Sequence, residues 1–141
     1  MISKQLADFL LQVQYHAGSS FVGVGVIVTS DASALPIASL RPDLAFRNVG
    51  QPVEVLAALS VATSELHDGF HVLLPDYSIV RVAQYFGPPV GDPPLLPHGR
   101  ALGARYMTAL LGSRLPSVIA TGIATVNQGV TVFVGGREVK R

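Results

Sequence analysis

The chain has 141 residues, of which 49% are hydrophobic and only 13% charged. That length suits one domain, 1–141, with a core of its own, and the low charge excludes a disordered tail. No cysteine is present and ten basic residues stand against nine acidic ones, which excludes disulfides, thiolate metal sites and cysteine nucleophiles and leaves no basic stripe for a nucleic acid.

Leu6, Phe9, Leu10 and Val13 recur at i, i+3, i+4 and i+7, the period of an amphipathic helix over about 3–15. Gly18 is placed to end it. Asp8 interrupts the apolar part of this segment, so it does not read as a signal peptide. Phe-Val-Gly-Val-Gly-Val-Ile-Val-Thr, 21–29, follows as a strand apolar on both faces, hence a central one. Its run from Phe21 to Val28 is far too short to span a bilayer. Together these features predict a cytoplasmic protein with no membrane span.

Residues 31–51 read as irregular, with Pro36 and Pro42. Pro52 suits the first position of a helix that continues to about Leu66. His67-Asp68-Gly69 is a turn into a strand Phe-His-Val-Leu-Leu, and Pro75-Asp76 is a turn into a strand over 78–86. Residues 87–99 hold five prolines and three glycines, which forbids helix and strand alike and marks a long loop of the kind that carries function. Arg100 to Leu111 reads as a helix capped by Gly112. Two further strands flank a turn near Asn127-Gln128-Gly129. Helices alternating with hairpin-like strand pairs predict an α/β fold, a mixed central sheet flanked by helices.

Several motifs end as weak signals. Gly23-Val24-Gly25 starts like a dinucleotide fingerprint, but Val28 stands where the third glycine belongs and no helix follows. The structural reading is two glycines in a central strand where something packs closely. His67 and His71 are four apart in a turn and strand, about 13 Å along the chain, too far for one metal ion. His16 and His98 have no evident partners. Neither a Gly-x-Ser-x-Gly elbow nor a phosphate-binding P-loop is present.

Three segments read together outline an anion pocket. Asp68-Gly69-Phe70 opens a strand. Leu102-Gly103-Ala104-Arg105-Tyr106 carries the proline-rich loop into a helix, whose first N–H groups favour phosphate. Gly103 permits close backbone approach, and the planar fork of Arg105 pairs with phosphate oxygens. Thr125-Val126-Asn127-Gln128-Gly129 is a polar turn in which Thr125 offers a hydroxyl and Asn127 an amide. Asp68 suits a ribose hydroxyl or a metal ion. The structural alternative is that Gly103 eases packing and Arg105 is solvated.

The order and spacing of these segments resemble the diadenylate cyclase domain, the family that condenses two ATP molecules into cyclic di-AMP. Its Asp-Gly-Ala strand start, its aromatic and proline-containing loop, its Leu-Gly-Thr-Arg-His-Arg helix start and its Ser-Glu-Glu-Thr-Gly turn correspond to Asp68-Gly69-Phe70, 83–88, Leu102–Met107 and 125–129 of this chain. The resemblance covers about 18–138. It implies a nucleotide or cyclic dinucleotide ligand and a homodimer, since the family's sites face each other in pairs. It also implies Mg or Mn as cofactor, with Asp68 catalytic, if the chain is active.

The departures bear on that condition. The family reaction drives a 3′-hydroxyl onto an α-phosphate, which needs a carboxylate-held metal and basic groups for the developing charge. Val126 replaces an acid, Ala104 the threonine, and Tyr106 and Met107 two of the three basic residues, leaving Arg105. Losing one such stabiliser costs about 10²–10³ in rate. The resemblance with these losses implies a nucleotide-binding sensor that lacks catalysis. Its effector would be a partner or a domain absent from this chain. Phe70 and Tyr106 either stack on a base or fill the core. The alternatives are an active cyclase, with Asp76, Asp92 or Glu65 supplying the missing acid, and a protein-interaction module that binds no ligand.

Overall fold

The computed structural model describes residues 1–140, with side chains to Val139. At its centre is β1 (Val24–Thr29), all six residues buried. The elements before the proline-rich loop are α1 (Ile2–Ala17), β1, β2 (Ile37–Ser39), α2 (Pro52–Leu59), β3 (Phe70–Leu73) and β4 (Ile79–Phe86). After it come α3 (Ala104–Gly112), β5 (Val118–Thr125), β6 (Gly129–Val134) and β7 (Arg137–Lys140). One seven-stranded sheet runs in the order β2-β4-β3-β1-β5-β6-β7. The β1–β3 pair is parallel and the other pairs are antiparallel. This is the expected mixed sheet.

The period-2 alternation of β1 sends its apolar side chains to both faces of the sheet. Val24, Val26 and Val28 join Leu6, Leu10 and Val13 of α1 and Leu56 of α2 in one cluster. Ile27 joins Phe70, Val72, Phe86, Leu110 and Phe133 in the other, beneath α3. The buried hydroxyl of Thr121 donates to the Ala109 carbonyl at 2.6 Å, fixing α3 on β5. Glycines make room where large groups meet the sheet. A Cβ on Gly25 would sit 2.8 Å from the Phe70 ring, and one on Gly122 would sit 2.6 Å from Leu10.

Four expectations are corrected. The helix from Pro52 stops at Leu59 instead of about Leu66. The Ser60 hydroxyl turns back onto the Leu56 carbonyl at 2.6 Å, the Ser60 carbonyl accepts from Val22 N at 2.9 Å, and Val61 bridges Phe21. The chain there pairs with the approach to β1 in place of continuing the helix. The third helix begins at Ala104, not Arg100, because Arg100 is held by Glu138 at 2.9 Å. The segment read as irregular contains β2, paired to β4. Finally, β7 extends the sheet through a two-residue hairpin, Gly135-Gly136, with φ of 60° and 82°. Positive φ at both central residues suits that turn type and requires glycine. Among the described residues, no helix is long and apolar enough to cross a membrane.

Because Gly25 must admit the Phe70 ring, Gly25→Ala overpacks a rigid aromatic contact and should cost about 1–3 kcal/mol. A urea titration followed by circular dichroism reads this as a lowered midpoint at unchanged slope. An unchanged midpoint would show that the ring is free to move aside.

Candidate functional site

A cavity of about 410 Å³ opens where β5 ends and α3 begins, lined by Val22, Gly103, Arg105, Tyr106, Ile123 and the turn 125–128. The turn is tied to the chain ahead of α3. Gln128 N donates to the Thr125 hydroxyl at 3.0 Å, and Gln128 Nε2 donates to the Ala101 carbonyl at 2.8 Å. Gly103, in extended conformation, is the N-cap of α3 and offers no side-chain cap. The first bond of the helix runs from Met107 N to Gly103 O at 3.2 Å. The amides of Ala104, Arg105 and Tyr106 precede it and have no acceptor within the helix.

Arg105 carries the cavity's charge. It is part-buried and makes no hydrogen bond or ion pair with any described residue. Its guanidinium lies against Gly23, where a Cβ would stand 2.5 Å from Nη1. Gly23 has φ of 144° as the chain enters β1. Two demands therefore meet in one glycine, a backbone turn and space for a cation. Burial pushes the Arg105 pKa below its ordinary value, and the Asp68 carboxylate raises it. The group stays charged at neutral pH, since guanidinium is not deprotonated in proteins.

The cavity brings together Gly103, Arg105, Tyr106, Thr125 and Asn127 among the residues singled out from sequence. The others stand elsewhere. Asp68 is exposed beside the cavity, 3.4 Å from His67 Nε2, and reaches Arg105 through its charge. Gly69 has φ of 74°, and a Cβ there would also meet Leu40 at 2.8 Å. Leu102 packs on the core under α3, and Ala104 is exposed.

The open question about the two aromatics is answered by burial. Phe70 is 4% exposed and packs edge-on against Phe86, with ring centres 5.5 Å apart. Tyr106 is 3% exposed, edge-on to Phe133 at 4.9 Å. Its hydroxyl donates to Glu138 at 2.6 Å, while Arg100 lies 5.2 Å over its ring. Burial, then the bond to Glu138, pushes its pKa up to about 12. Both rings are core residues, and neither offers a free face to a base.

No group of three or more His, Asp or Glu able to hold a metal occurs among the described residues. Val126, in the turn that lines the cavity, is 61% exposed. Of the other acids considered, Asp76 accepts from Ser78 N and Oγ in the β3–β4 turn, Glu65 lies 3.9 Å from Arg41, and Asp92 is in the proline-rich loop. None lines the cavity.

Sequence reasoning weighed His71 only as a metal ligand, with His67, and found no other role for it. Its ring is 1% exposed within β3, and its Nδ1 accepts from Ala83 N at 3.0 Å. Ala83 has φ of 51°, in an irregular stretch of β4, so the imidazole supports an unusual backbone turn. Its Nε2 is buried without a hydrogen-bond partner. Burial, with help from the Arg105 charge, lowers the His71 pKa to about 4. The available signal was one polar residue inside an otherwise apolar strand.

No protein-family profile and no curated protein matches the chain. Solved structures do. A hypothetical membrane spanning protein from Bacillus cereus superposes with a TM-score of 0.67 at 18% identity, over 93% of this chain and 61% of that one. This chain thus spans about three fifths of that neighbour's length. A double cysteine variant of DacA from Staphylococcus aureus gives a TM-score of 0.61 at 21% identity, over 97% of this chain and 88% of its own. The fold is diadenylate-cyclase-like. At these identities the likeness concerns the fold, and the chemistry must be argued from the residues above.

His71 makes stability depend on pH. The folded state keeps it neutral down to about pH 4, while the unfolded chain takes up a proton below about pH 6.5. Stability from this group is therefore full above pH 6.5 and falls as pH drops toward 4, by about 3 kcal/mol at most. Urea unfolding at pH 7 and pH 4.5 should show His71→Asn losing less stability than the parent chain over that interval. Equal losses would place the folded pKa near its ordinary value.

Proposed function

We propose that this domain binds a nucleotide through one phosphate group and signals occupancy to a partner, without nucleotidyl transfer. The observation that carries the reading is Arg105, a part-buried cation with no hydrogen bond or close ion pair to a described residue and only the more distant charge of Asp68 acting on it, at the wall of a cavity where Gly23 leaves it room. Leaving a part-buried charge unpaired costs stability, and an anionic ligand offsets that cost.

The remaining donors complete the reading. The first amides of α3 lie beside Arg105 and favour a phosphate oxygen. The Thr125 hydroxyl, already accepting from Gln128 N, keeps its own proton to donate. One cation with a few neutral donors matches the single charge of a phosphodiester better than the several charges of a triphosphate. A metal-assisted attack on an α-phosphate also lacks its second acid, because Val126 has no ligating atom. The diadenylate-cyclase-like fold and the motif order support a cyclic dinucleotide as the first ligand to test. A homodimer, a separate effector and a cytoplasmic setting belong to the same proposal.

The test is a melting-temperature panel with ATP, GTP, cyclic di-AMP and mixed cyclic dinucleotides, each with and without Mn²⁺. A ligand at 100 times its dissociation constant adds about 2.7 kcal/mol, roughly 8 °C for a domain of this size. The expected result is a metal-independent rise with a cyclic dinucleotide that Arg105→Ala abolishes. The variant's own melting point should be little changed, because it removes a part-buried charge that makes no close ion pair. A rise only with ATP and Mn²⁺, together with cyclic di-AMP formation on chromatography, would establish a cyclase instead. No rise with any ligand would leave a protein-interaction module.

A further inference from the structure

The proline-rich loop 87–99 contributes no strand to the sheet and no wall to the Arg105 cavity. Its prolines cannot donate to a ladder, so its apolar side chains stay outside the core. Val90 and Leu96 are exposed, and Leu95 is 100% exposed. Apolar groups exposed together on one segment mark an interaction site. Beneath them lies a second cavity, of about 460 Å³, between the loop, α3 and the β6–β7 hairpin. That volume falls within the roughly 300–1,000 Å³ of small-molecule sites.

The cavity joins apolar walls to two cations. Tyr106 and Leu110 line it from α3, and Pro93, Pro94 and Leu95 from the loop. Its positive groups are Arg114 and Arg137. The stem of Arg114 lies across Gly136, where a Cβ would stand 2.9 Å from Cγ, and its Nη1 donates to the Val90 carbonyl at 2.9 Å. This bond fixes the guanidinium in place and uses one of its five N–H groups. The Arg137 side chain makes no hydrogen bond with a described residue, and neither arginine makes an ion pair with one. The acid on the wall, Glu138, is already bound by Arg100 and Tyr106 at 2.9 Å and 2.6 Å. Asp92 is on the loop but does not line the cavity.

We propose that this cavity is a second ligand site, for a small organic anion: a carboxylate or phosphate monoester carried on an apolar body. The planar forks of Arg114 and Arg137 suit the oxyanion. The apolar body lies against Leu110 and removes Leu95 from water, which is favourable for both surfaces. The site is separate from the Arg105 cavity, with Tyr106 as a shared wall, and does not depend on what Arg105 binds. The competing explanation is that Arg114 serves only to tie the loop to the end of α3 through Val90.

The probes are octanoate, 2-naphthoate and phenyl phosphate, with octanol lacking the charge and acetate lacking the body. Each is titrated into the nitrogen-15-labelled chain. At least one of the three anions should move the amide resonances of Leu110, Gly136 and Arg137 with a dissociation constant of about 1 mM or tighter. Octanol and acetate should bind at least about tenfold more weakly. Octanoate alone would identify a flexible body, and 2-naphthoate or phenyl phosphate alone a flat one. Arg114→Gln with Arg137→Gln should weaken binding about tenfold or more. Because Arg114→Gln also releases the loop from Val90, Arg137→Gln and Leu95→Ser are measured singly. Both are exposed positions, and each should weaken binding about threefold to tenfold at the parental melting temperature. No response to any of the three anions overturns the inference, and so does parental affinity in both single variants. Binding abolished by Arg105→Ala but kept in the Arg114–Arg137 double variant would place the anion in the Arg105 cavity and overturn it as well.

Discussion

Everything in this molecule is arranged around a strand with no exposed face. β1 is covered by α1 and α2 on one side and by the α3 cluster on the other, and its neighbours β3 and β5 run along both edges. A strand so enclosed can carry only small or apolar side chains. Where larger groups must approach it, the chain uses glycine. Gly25 receives the Phe70 ring and Gly23 the Arg105 guanidinium. The first contact closes the core and the second shapes the candidate site, from two glycines two residues apart, one in β1 and one just before it.

The same constraint explains why the site lies at the end of the sheet. Within β1 a cation would be surrounded by valines and could meet no anion. At Gly23 the chain has not yet become strand, and φ of 144° turns the backbone aside. The space admits a guanidinium from the start of α3, next to free helix amides and the Thr125 turn. Arg105 is thereby partly desolvated without being neutralised. In a medium of reduced dielectric a single charge acts more strongly than it would in water.

Holding α3 in register is a separate device. Arg100, Tyr106 and Glu138 join the end of the proline-rich loop, the first turn of α3 and the edge strand β7. Arg100 and Glu138 are largely buried, with side chains 14% and 24% exposed, so their pairing is less screened than a surface ion pair. Tyr106 stands in the first turn of α3. Here its ring fills core space against Phe133 and its hydroxyl binds an acid. Tyr106 thereby fastens the helix turn that presents Arg105.

Local pattern determined a large part of this account. The period of α1, the β-branched run of β1 and the proline barrier at 87–99 each follow from steric preferences within a few residues. The reading of Gly23 and Gly25 as points of close approach was legible for the same reason, whereas the predicted grouping of Asp68, Gly69, Phe70 and residues 102–106 with 125–127 depended on distant segments, and only Gly103, Arg105, Tyr106, Thr125 and Asn127 line the cavity. The tertiary structure decided what depends on distant partners. Helix α2 stops at Leu59 because residues 60–61 pair with 21–22. Helix α3 starts late because Arg100 is bound to Glu138, 38 positions away. Phe70 and Tyr106 became core, and His71 acquired one partner and lacked another, only when strands remote in sequence came together. Periodicity states which face of an element is apolar. It does not state which side chain on the facing element will accept a hydrogen bond or leave a charge uncompensated, because that is fixed by distances of a few ångström set when the sheet assembles.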